Sequence, residues 1–141
     1  MLCWLYPSNQ NGPLFNYRNS GSWGGHLWVV WGKLFVQFTK RNHSPTQPLV
    51  HTPLKPEDGW KFVGASYDQA NGHAKLWVDG KAVQTVNVGA NLQLATQDNV
   101  RMGAIVRDGR YFKGKIAQMQ VYSVALTQEQ IKLIKDRTQV G

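Results

Sequence analysis

Hydrophobic and polar residues alternate along most of this chain, and short turn signals separate the alternating runs. The first run, "MLCWLY", ends at Pro7, and later runs include "WKFVGASY", "AKLWV" and "KAVQTVNV". A period of two is typical of β-strands with one buried face, and residues such as Gly, Pro and Asn are typical of the turns between them. The pattern therefore predicts many short antiparallel strands.

The stretch "HLWVVWGKLFVQF", His26 to Phe38, predicts a hairpin with a two-residue turn at Trp31-Gly32. This turn pairs Trp28 with Phe35, on a mixed face that we expect to be partly in water. An alternative is that the long proline-rich loop after the hairpin covers that face and buries the pair. The opposite face is wholly apolar, and we expect it in the core: Leu27, Val29, Leu34 and Val36.

The end of the chain predicts one more strand and then a helix. Apolar residues occupy every second position from Ala117 to Val121, which indicates a strand with one buried face. Thr127 and Gln130 have the spacing of a capping box, which favours a short helix from there. Many strands and one late helix predict an all-β antiparallel sandwich of the jelly-roll type, as a single domain over residues 1–141.

The composition is typical of a soluble globular protein, and the net charge is basic. The chain has 141 residues, 42% of them hydrophobic and 17% charged, and no apolar run is long enough to span a membrane. Its one cysteine, Cys3, rules out an internal disulfide, and we expect it to be a small buried hydrophobe. A net charge of +8 favours an anionic partner, such as a sulfated glycan, a nucleic acid or acidic lipid headgroups.

The charged residues do not form a catalytic pattern. The eight acids lie almost entirely in predicted turns or in the last helix, so no strand presents two carboxylates on one face as glycosidases of this architecture do. The four histidines show no spacing that ties them to a nucleophile or to a metal. We therefore expect a protein that is not an enzyme.

Basic and aromatic residues are interleaved late in the chain, between Arg101 and Lys115. Such a mixture suits sulfate or carboxylate groups on a glycan, although solvated loop charges would give the same pattern. We find no nucleic-acid recognition motif and expect no such partner. The residues expected to bind ligand, on a basic rim and on the hairpin, are Arg18, Trp23, Trp28, Trp31, Phe35, Arg107, Arg110 and Tyr111.

Two longer segments, "WKFVGASYDQANGHAKLWVDGKAV" and "GRYFKGKIAQMQVYSVALTQEQI", resemble a known family. They are similar to the laminin G-like and pentraxin-like branch of the concanavalin A-like jelly rolls, and the similarity runs over about residues 60–134. The resemblance implies a noncatalytic extracellular or cell-surface module that recognises a glycan or glycoprotein. It equally allows a structural or adhesion module that contacts protein.

The chain departs from the pentraxins at their disulfide and at their calcium sites. Cys3 matches the first half-cystine, but Gly64 stands where the second is expected. Asp108 is the only carboxylate in the stretch that matches the calcium-binding cluster, so we expect no double calcium site. A weaker single site that uses Asp108, Asn19 and backbone carbonyls stays open, and no other cofactor is implied.

Related domains also carry terminal strands that this chain lacks. The resemblance therefore implies that the module belongs to a larger protein, or that other chains or domains cover an exposed sheet edge. Asn42-His43-Ser44 is an acceptor triplet for N-glycosylation, although Pro45 follows it. The triplet agrees with an extracellular location.

Overall fold

The computed structural model describes residues 1–6, 12–18, 23–30, 32–42, 44–51, 57, 59–94, 100–102, 112 and 114–138. Within these residues the chain forms ten strands and one helix. The strands are β1 (Leu2–Tyr6), β2 (Gly12–Arg18), β3 (Trp23–Val30), β4 (Lys33–Gln37), β5 (Leu49–His51), β6 (Lys61–Tyr67), β7 (His73–Val78), β8 (Lys81–Asn87), β9 (Val100–Met102) and β10 (Lys115–Gln120). The helix is α1 (Gln128–Arg137).

The strands form two five-stranded sheets, and every strand pairing among the described residues is antiparallel. Sheet A has the order β10-β1-β6-β7-β8, and sheet B has the order β5-β4-β3-β2-β9. Buried residues from both sheets form one cluster, so the sheets face each other across a shared core. The predicted antiparallel sandwich with a C-terminal helix is confirmed.

The central strands of sheet A, β1, β6 and β7, are buried on both faces, because their alternate side chains enter different clusters. In β1, Cys3 and Leu5 join the core between the sheets. Leu2 and Trp4 point the other way and join a second cluster with Ile131 of α1. The helix therefore covers the outer face of sheet A.

The helix begins where its capping residues predict. The Gln130 amide donates to Thr127 Oγ1 over 3.2 Å, and the Thr127 amide donates to Gln130 Oε1 over 2.9 Å. At the other end, Trp4 Nε1 donates to Thr138 Oγ1 over 2.9 Å, which joins the end of the helix to β1. The predicted capping box is confirmed.

The predicted alternation in β10 is wrong. Gln118 has a φ of 53° and marks a bulge, because the register with β1 shifts between Leu2 and Trp4. Ala117 packs against the cluster under the helix, whereas Met119 packs against the core between the sheets. The bulge residue, Gln118, shifts the alternation by one position. Val121 lies beyond the end of the strand and is 50% exposed.

The two ends of the sandwich can be told apart by one link between the sheets. Just after β4, Lys40 bridges to Leu94, and the Arg41 amide donates to the Gln93 carbonyl over 2.8 Å. This link joins the Gln37 end of sheet B to the loop that follows β8. We call this the Tyr67 end, after the last residue of β6, and we call the opposite end the Tyr6 end, after the last residue of β1.

Candidate functional site

The opening hairpin has the predicted register. Trp28 pairs with Phe35 and Val29 with Leu34, and all four residues of the apolar face are at most 1% exposed. The expectation that Trp28 is exposed is wrong, because its side chain is only 3% exposed. It lies on a central strand, in one row between the buried Pro13 of β2 and the half-buried Phe35 of β4. Trp28 is therefore buried, as the alternative interpretation held, but Phe35 is only half-buried, and the loop that was expected to cover the pair lies partly outside the described residues.

The register also separates the predicted rim residues. Arg18 pairs with Trp23 at the Tyr67 end of sheet B, whereas the hairpin turn follows Val30 at the Tyr6 end. The seven residue-to-residue steps from Trp23 to Val30 span about 24 Å in an extended strand. Arg18 and Trp23 are thus distant from the turn that follows Val30. Four predicted site residues lie outside the described residues: Trp31, Arg107, Arg110 and Tyr111.

Sequence reasoning missed an aromatic pair at the Tyr6 end of sheet A. The rings of Tyr6 and Trp60 meet edge to face, with centroids 5.7 Å apart and an interplanar angle of 82°. Both residues are partly exposed, and the ammonium of Lys115 lies 5.6 Å from the centre of the Tyr6 ring. We call these three residues the Tyr6 patch. It offers two aromatic surfaces and one cation to solvent.

The strand pattern explains why the Tyr6 patch is partly open. Trp4 and Tyr6 are alternate residues of β1 and lie on the face that the helix covers, and Trp4 also contacts Phe62, with ring centroids 5.2 Å apart. The residue that caps the end of the helix, Thr138, lies beside Trp4. Tyr6 is the next residue on the same face of β1, and the helix does not extend to it. The sequence signal that could have revealed this pair is the same alternation, because Trp60 is two residues from Phe62 and so lies on the same face as Phe62.

The connection that carries the predicted basic residues returns to this patch. It leaves β9 at Met102, in register with Phe15, and enters β10 at Lys115, in register with Tyr6. A Cβ on Gly114 would overlap the Tyr6 carbonyl, so the end of the connection lies directly against β1. Arg107, Arg110 and Tyr111 precede Gly114 by three to seven residues in the sequence.

A second candidate surface is a groove of about 680 Å³ at the Tyr67 end. Its lining is mixed: Phe38 and Tyr67 lie on one side and Trp77 and Ile131 on another, and polar residues such as Ser66 also line it. The Tyr67 hydroxyl holds the adjoining loop, since it donates to the Gly89 carbonyl over 2.7 Å and accepts from the Leu92 amide over 3.0 Å. The groove therefore has a wall fixed by hydrogen bonds.

Electrostatic interactions near the Tyr6 patch are structural. Asp79 accepts from the Phe62 amide over 3.1 Å and forms an ion pair with Lys61 over 3.2 Å. Cys3, on the other face of β1, is 1% exposed, and burial raises the pKa of its thiol to about 12. A thiol with that pKa is a poor nucleophile at neutral pH.

Among the described residues, no group of three His, Cys, Asp or Glu side chains is arranged to hold a metal ion. Asp108 and Asn19, the candidates for a single calcium site, lie outside these residues. No described helix is long and apolar enough to cross a bilayer.

The sequence of the chain matches a known family. A laminin G-like family profile, described as concanavalin A-like lectin/glucanases superfamily, matches residues 1–132. The chain belongs to this superfamily. No curated protein matches the sequence.

Several solved structures share the fold of this concanavalin A-like domain. The CBM40 of a Ruminococcus gnavus sialidase, bound to α2,3-sialyllactose, has a TM-score of 0.75 and 20% identity over 94% of this chain and 79% of its own. A proposed carbohydrate-binding protein from Bacteroides ovatus has a TM-score of 0.74 and 21% identity over 93% of this chain and 38% of its own. The receptor-binding domain of botulinum neurotoxin D has a TM-score of 0.63 and 16% identity over 96% of this chain and 36% of its own. At these identities the similarity establishes the fold.

The register also corrects the comparison with the pentraxin disulfide. Leu2 pairs with Gly64, and Cys3 pairs with Val63, so position 64 lies on the helix side of sheet A while Cys3 faces the core. A cysteine at position 64 would point away from Cys3. Gly64 instead makes room for Leu2, whose side chain a Cβ there would overlap.

Proposed function

We propose that this domain is a noncatalytic module that recognises carbohydrate, with a preference for acidic glycans. The observation that carries the proposal is the Tyr6 patch, in which the partly exposed Tyr6–Trp60 pair adjoins the Lys115 ammonium. Aromatic faces and edges pack against the C–H faces of a sugar ring, and a cation pairs with its carboxylate or sulfate. The similarity to carbohydrate-binding modules supports the same function.

The predicted basic residues would extend this patch. Arg107, Arg110 and Tyr111 precede Gly114 in the sequence, and we propose that they contact the same sugar. An arginine donates two parallel hydrogen bonds to a carboxylate or sulfate, which a lysine cannot do. In this proposal Lys115 attracts the anionic group and the arginines orient it.

The noncatalytic part of the proposal is supported by the acids that the structure describes. Asp79 is bound to Lys61 and to the Phe62 amide, and Asp68 accepts from the Ala70 amide over 2.9 Å. Both carboxylates accept from main-chain amides, and among the described residues neither is hydrogen-bonded to Tyr6 or Trp60. Because the superfamily includes glucanases, each bound glycan should also be assayed for hydrolysis.

A second candidate function is adhesion through protein contacts, in an extracellular setting. Val121, Tyr122 and Val124 are 50%, 40% and 67% exposed, next to the edge strand β10. A cluster of exposed apolar residues beside a sheet edge favours contact with protein. For the extracellular location we rely on Asn42, which is exposed within its glycosylation triplet.

A glycan array at low salt tests the first function, and it should contain neutral, sialylated and sulfated chains. Calorimetry on the best ligand then compares wild type with Trp60→Ala and Lys115→Ala. We expect each substitution to weaken binding about 10-fold, the loss of one stacking or charge-assisted contact. Raising the ionic strength from 50 to about 500 mM should weaken wild-type binding and have less effect on Lys115→Ala.

Lys81→Ala is the matched control, because Lys81 is exposed on sheet A away from the Tyr6 patch. Its affinity should stay within about twofold of wild type, with the fold of every variant checked by circular dichroism. An array without binding at low salt would refute carbohydrate recognition. If neither Trp60→Ala nor Lys115→Ala weakened binding, the glycan site would lie elsewhere than the Tyr6 patch.

A further inference from the structure

Lys115 and Tyr6 lie opposite each other on neighbouring strands. They are register partners in the β10–β1 pair, and residues directly opposite in an antiparallel ladder have side chains on the same face. The Lys115 ammonium lies 5.6 Å from the centre of the Tyr6 ring, within the range of a cation–π interaction. The ring of Tyr6 therefore attracts this ammonium and restricts where it lies.

The residue before Lys115 allows this close approach of the two strands. A Cβ on Gly114 would overlap the Tyr6 carbonyl oxygen and would lie 2.7 Å from the Phe112 ring. Phe112 packs against the core between the sheets, so moving its ring aside would disturb that core. A larger residue at position 114 would therefore push the start of β10, and Lys115 with it, away from Tyr6.

Lys115 is also a cation without a counter-ion in the described part of the chain. On β6, next to Trp60, Lys61 forms an ion pair with Asp79 over 3.2 Å, and this is the one ion pair among the described residues. Lys115 is exposed and has no such carboxylate partner there. Its charge is therefore available to an anionic group of a ligand, whereas the charge of Lys61 is already neutralised.

Trp60 differs from two neighbouring tryptophans in the partner of its indole N–H. Trp4 Nε1 donates to Thr138 Oγ1, and Trp77 Nε1 donates to Ser66 Oγ, each over 2.9 Å. No described residue accepts from Trp60 Nε1, and the Trp60 side chain is partly exposed. Trp60 therefore offers both an aromatic surface and a hydrogen-bond donor to a sugar.

We propose that different residues of the Tyr6 patch determine affinity and selectivity, a proposal that rests on the proposed recognition of carbohydrate. Trp60 supplies the surface on which the sugar ring packs, so it acts on acidic and neutral sugars alike. Lys115, held over the ring of Tyr6, selects the acidic sugar, so Tyr6 is a positioning residue for the cation. The carboxylate or sulfate of the ligand lies on the side of the patch towards β10.

Calorimetry measures this selectivity as the ratio of two affinities, those of the best acidic glycan of the array and of its carboxyl-reduced or desulfated counterpart. Tyr6→Leu should lower the ratio about three- to fivefold, because Lys115 then loses its conformational freedom only when the acidic glycan binds. Tyr6→Phe retains the ring and should keep the ratio within about 1.5-fold of wild type. Trp60→Ala should weaken both glycans by the same factor and leave the ratio unchanged.

Proton magnetic resonance of the free protein tests the position of Lys115 without any glycan. Its ε-CH₂ protons should resonate upfield in wild type and in Tyr6→Phe, because they lie near the face of an aromatic ring. In Tyr6→Leu and in Gly114→Ala they should return to the position of an ordinary exposed lysine. Lys75 is the matched control, since its ammonium also lies 5.6 Å from a ring centre, that of Trp77, and its upfield shift should persist in every variant.

The proposal is overturned if the Lys115 protons show no upfield shift in wild type, or if Tyr6→Leu leaves the ratio of affinities unchanged. It is also overturned if Trp60→Ala lowers the ratio as much as Tyr6→Leu does, because affinity and selectivity would then have one source. In each of these cases the array still shows glycan binding. An array without binding would refute carbohydrate recognition itself, and with it these roles, even where the upfield shift shows the contact between Lys115 and Tyr6.

Discussion

Cys3 illustrates how strongly one residue's chemistry depends on its face of a strand. The sequence predicted a buried hydrophobe, and the structure places the side chain, 1% exposed, among the apolar residues between the sheets. Burial disfavours the thiolate and raises the pKa of the thiol from 9.0 to about 12. Leu2 and Trp4, one position away on either side, belong to the opposite cluster.

This shift in pKa predicts how stability depends on alkaline pH. Because the folded state holds the proton more tightly than the unfolded state, its contribution is complete below about pH 9 and is lost as pH rises toward 12. Unfolding in urea should show the free-energy difference between wild type and Cys3→Ala falling by about 2 kcal/mol from pH 9 to 10.5. A difference that stays constant over this range would mean that the thiol ionises freely in the folded state.

At the scale of elements, loops that the sequence marks only as turns hold strands of sheet A together. The loop between β6 and β7 binds the loop after β8, since the Val88 amide donates to the Gly72 carbonyl and the Asn91 amide to the Gln69 carbonyl, each over 2.9 Å. Gly72 has a φ of 78°, and a Cβ there would lie 2.5 Å from the carbonyl carbon of Gly89. The residue must be glycine for reasons of conformation and of space.

Gly59 is a matched control for a substitution at Gly72. It has a similar φ of 74°, but a Cβ there would meet no atom within 4 Å. Gly59→Ala should therefore lower the free energy of unfolding by only the conformational cost, about 1–2 kcal/mol. Gly72→Ala should lower it by about 2 kcal/mol more, because the loops must also move apart. Equal losses in chemical denaturation would contradict the close packing of the two loops.

At the scale of the whole molecule, sheet A separates two hydrophobic clusters. The larger one fills the space between the sheets, and the smaller one joins Leu2, Trp4, Phe62 and Trp77 to Ile131 of the helix. This arrangement lets a single sheet support two different surfaces. The Tyr6 patch lies beyond one end of the helix-covered cluster, and the groove lies at the other end of the sheet.

The two clusters should contribute independently to stability. Ile131→Val, under the helix, should cost about 1 kcal/mol, and Leu34→Ala, between the sheets, about 2–5 kcal/mol. The double variant should lose the sum within about 0.5 kcal/mol, because the sites share no contact. Urea unfolding of the four proteins measures this, and a coupling above about 1 kcal/mol would show that the clusters act as one core.

The sequence alone determined the local features, for physical reasons that act over a few residues. A period of two decides which side chains share a face, and a two-residue turn fixes the register, so the pairing of Trp28 with Phe35 followed directly from the residue pattern. The capping box at Thr127 is equally local. The family resemblance supplied the sandwich into which these elements assemble.

Only the tertiary structure decided which faces are covered and which distant residues meet. Trp28 lies buried on a central strand, and Tyr6 joins Trp60 and Lys115 only through the order β10-β1-β6. The bulge at Gln118 reversed an alternation that the residues by themselves did not reveal. Burial and proximity depend on contacts far apart in sequence, and a local pattern does not encode which element covers which face.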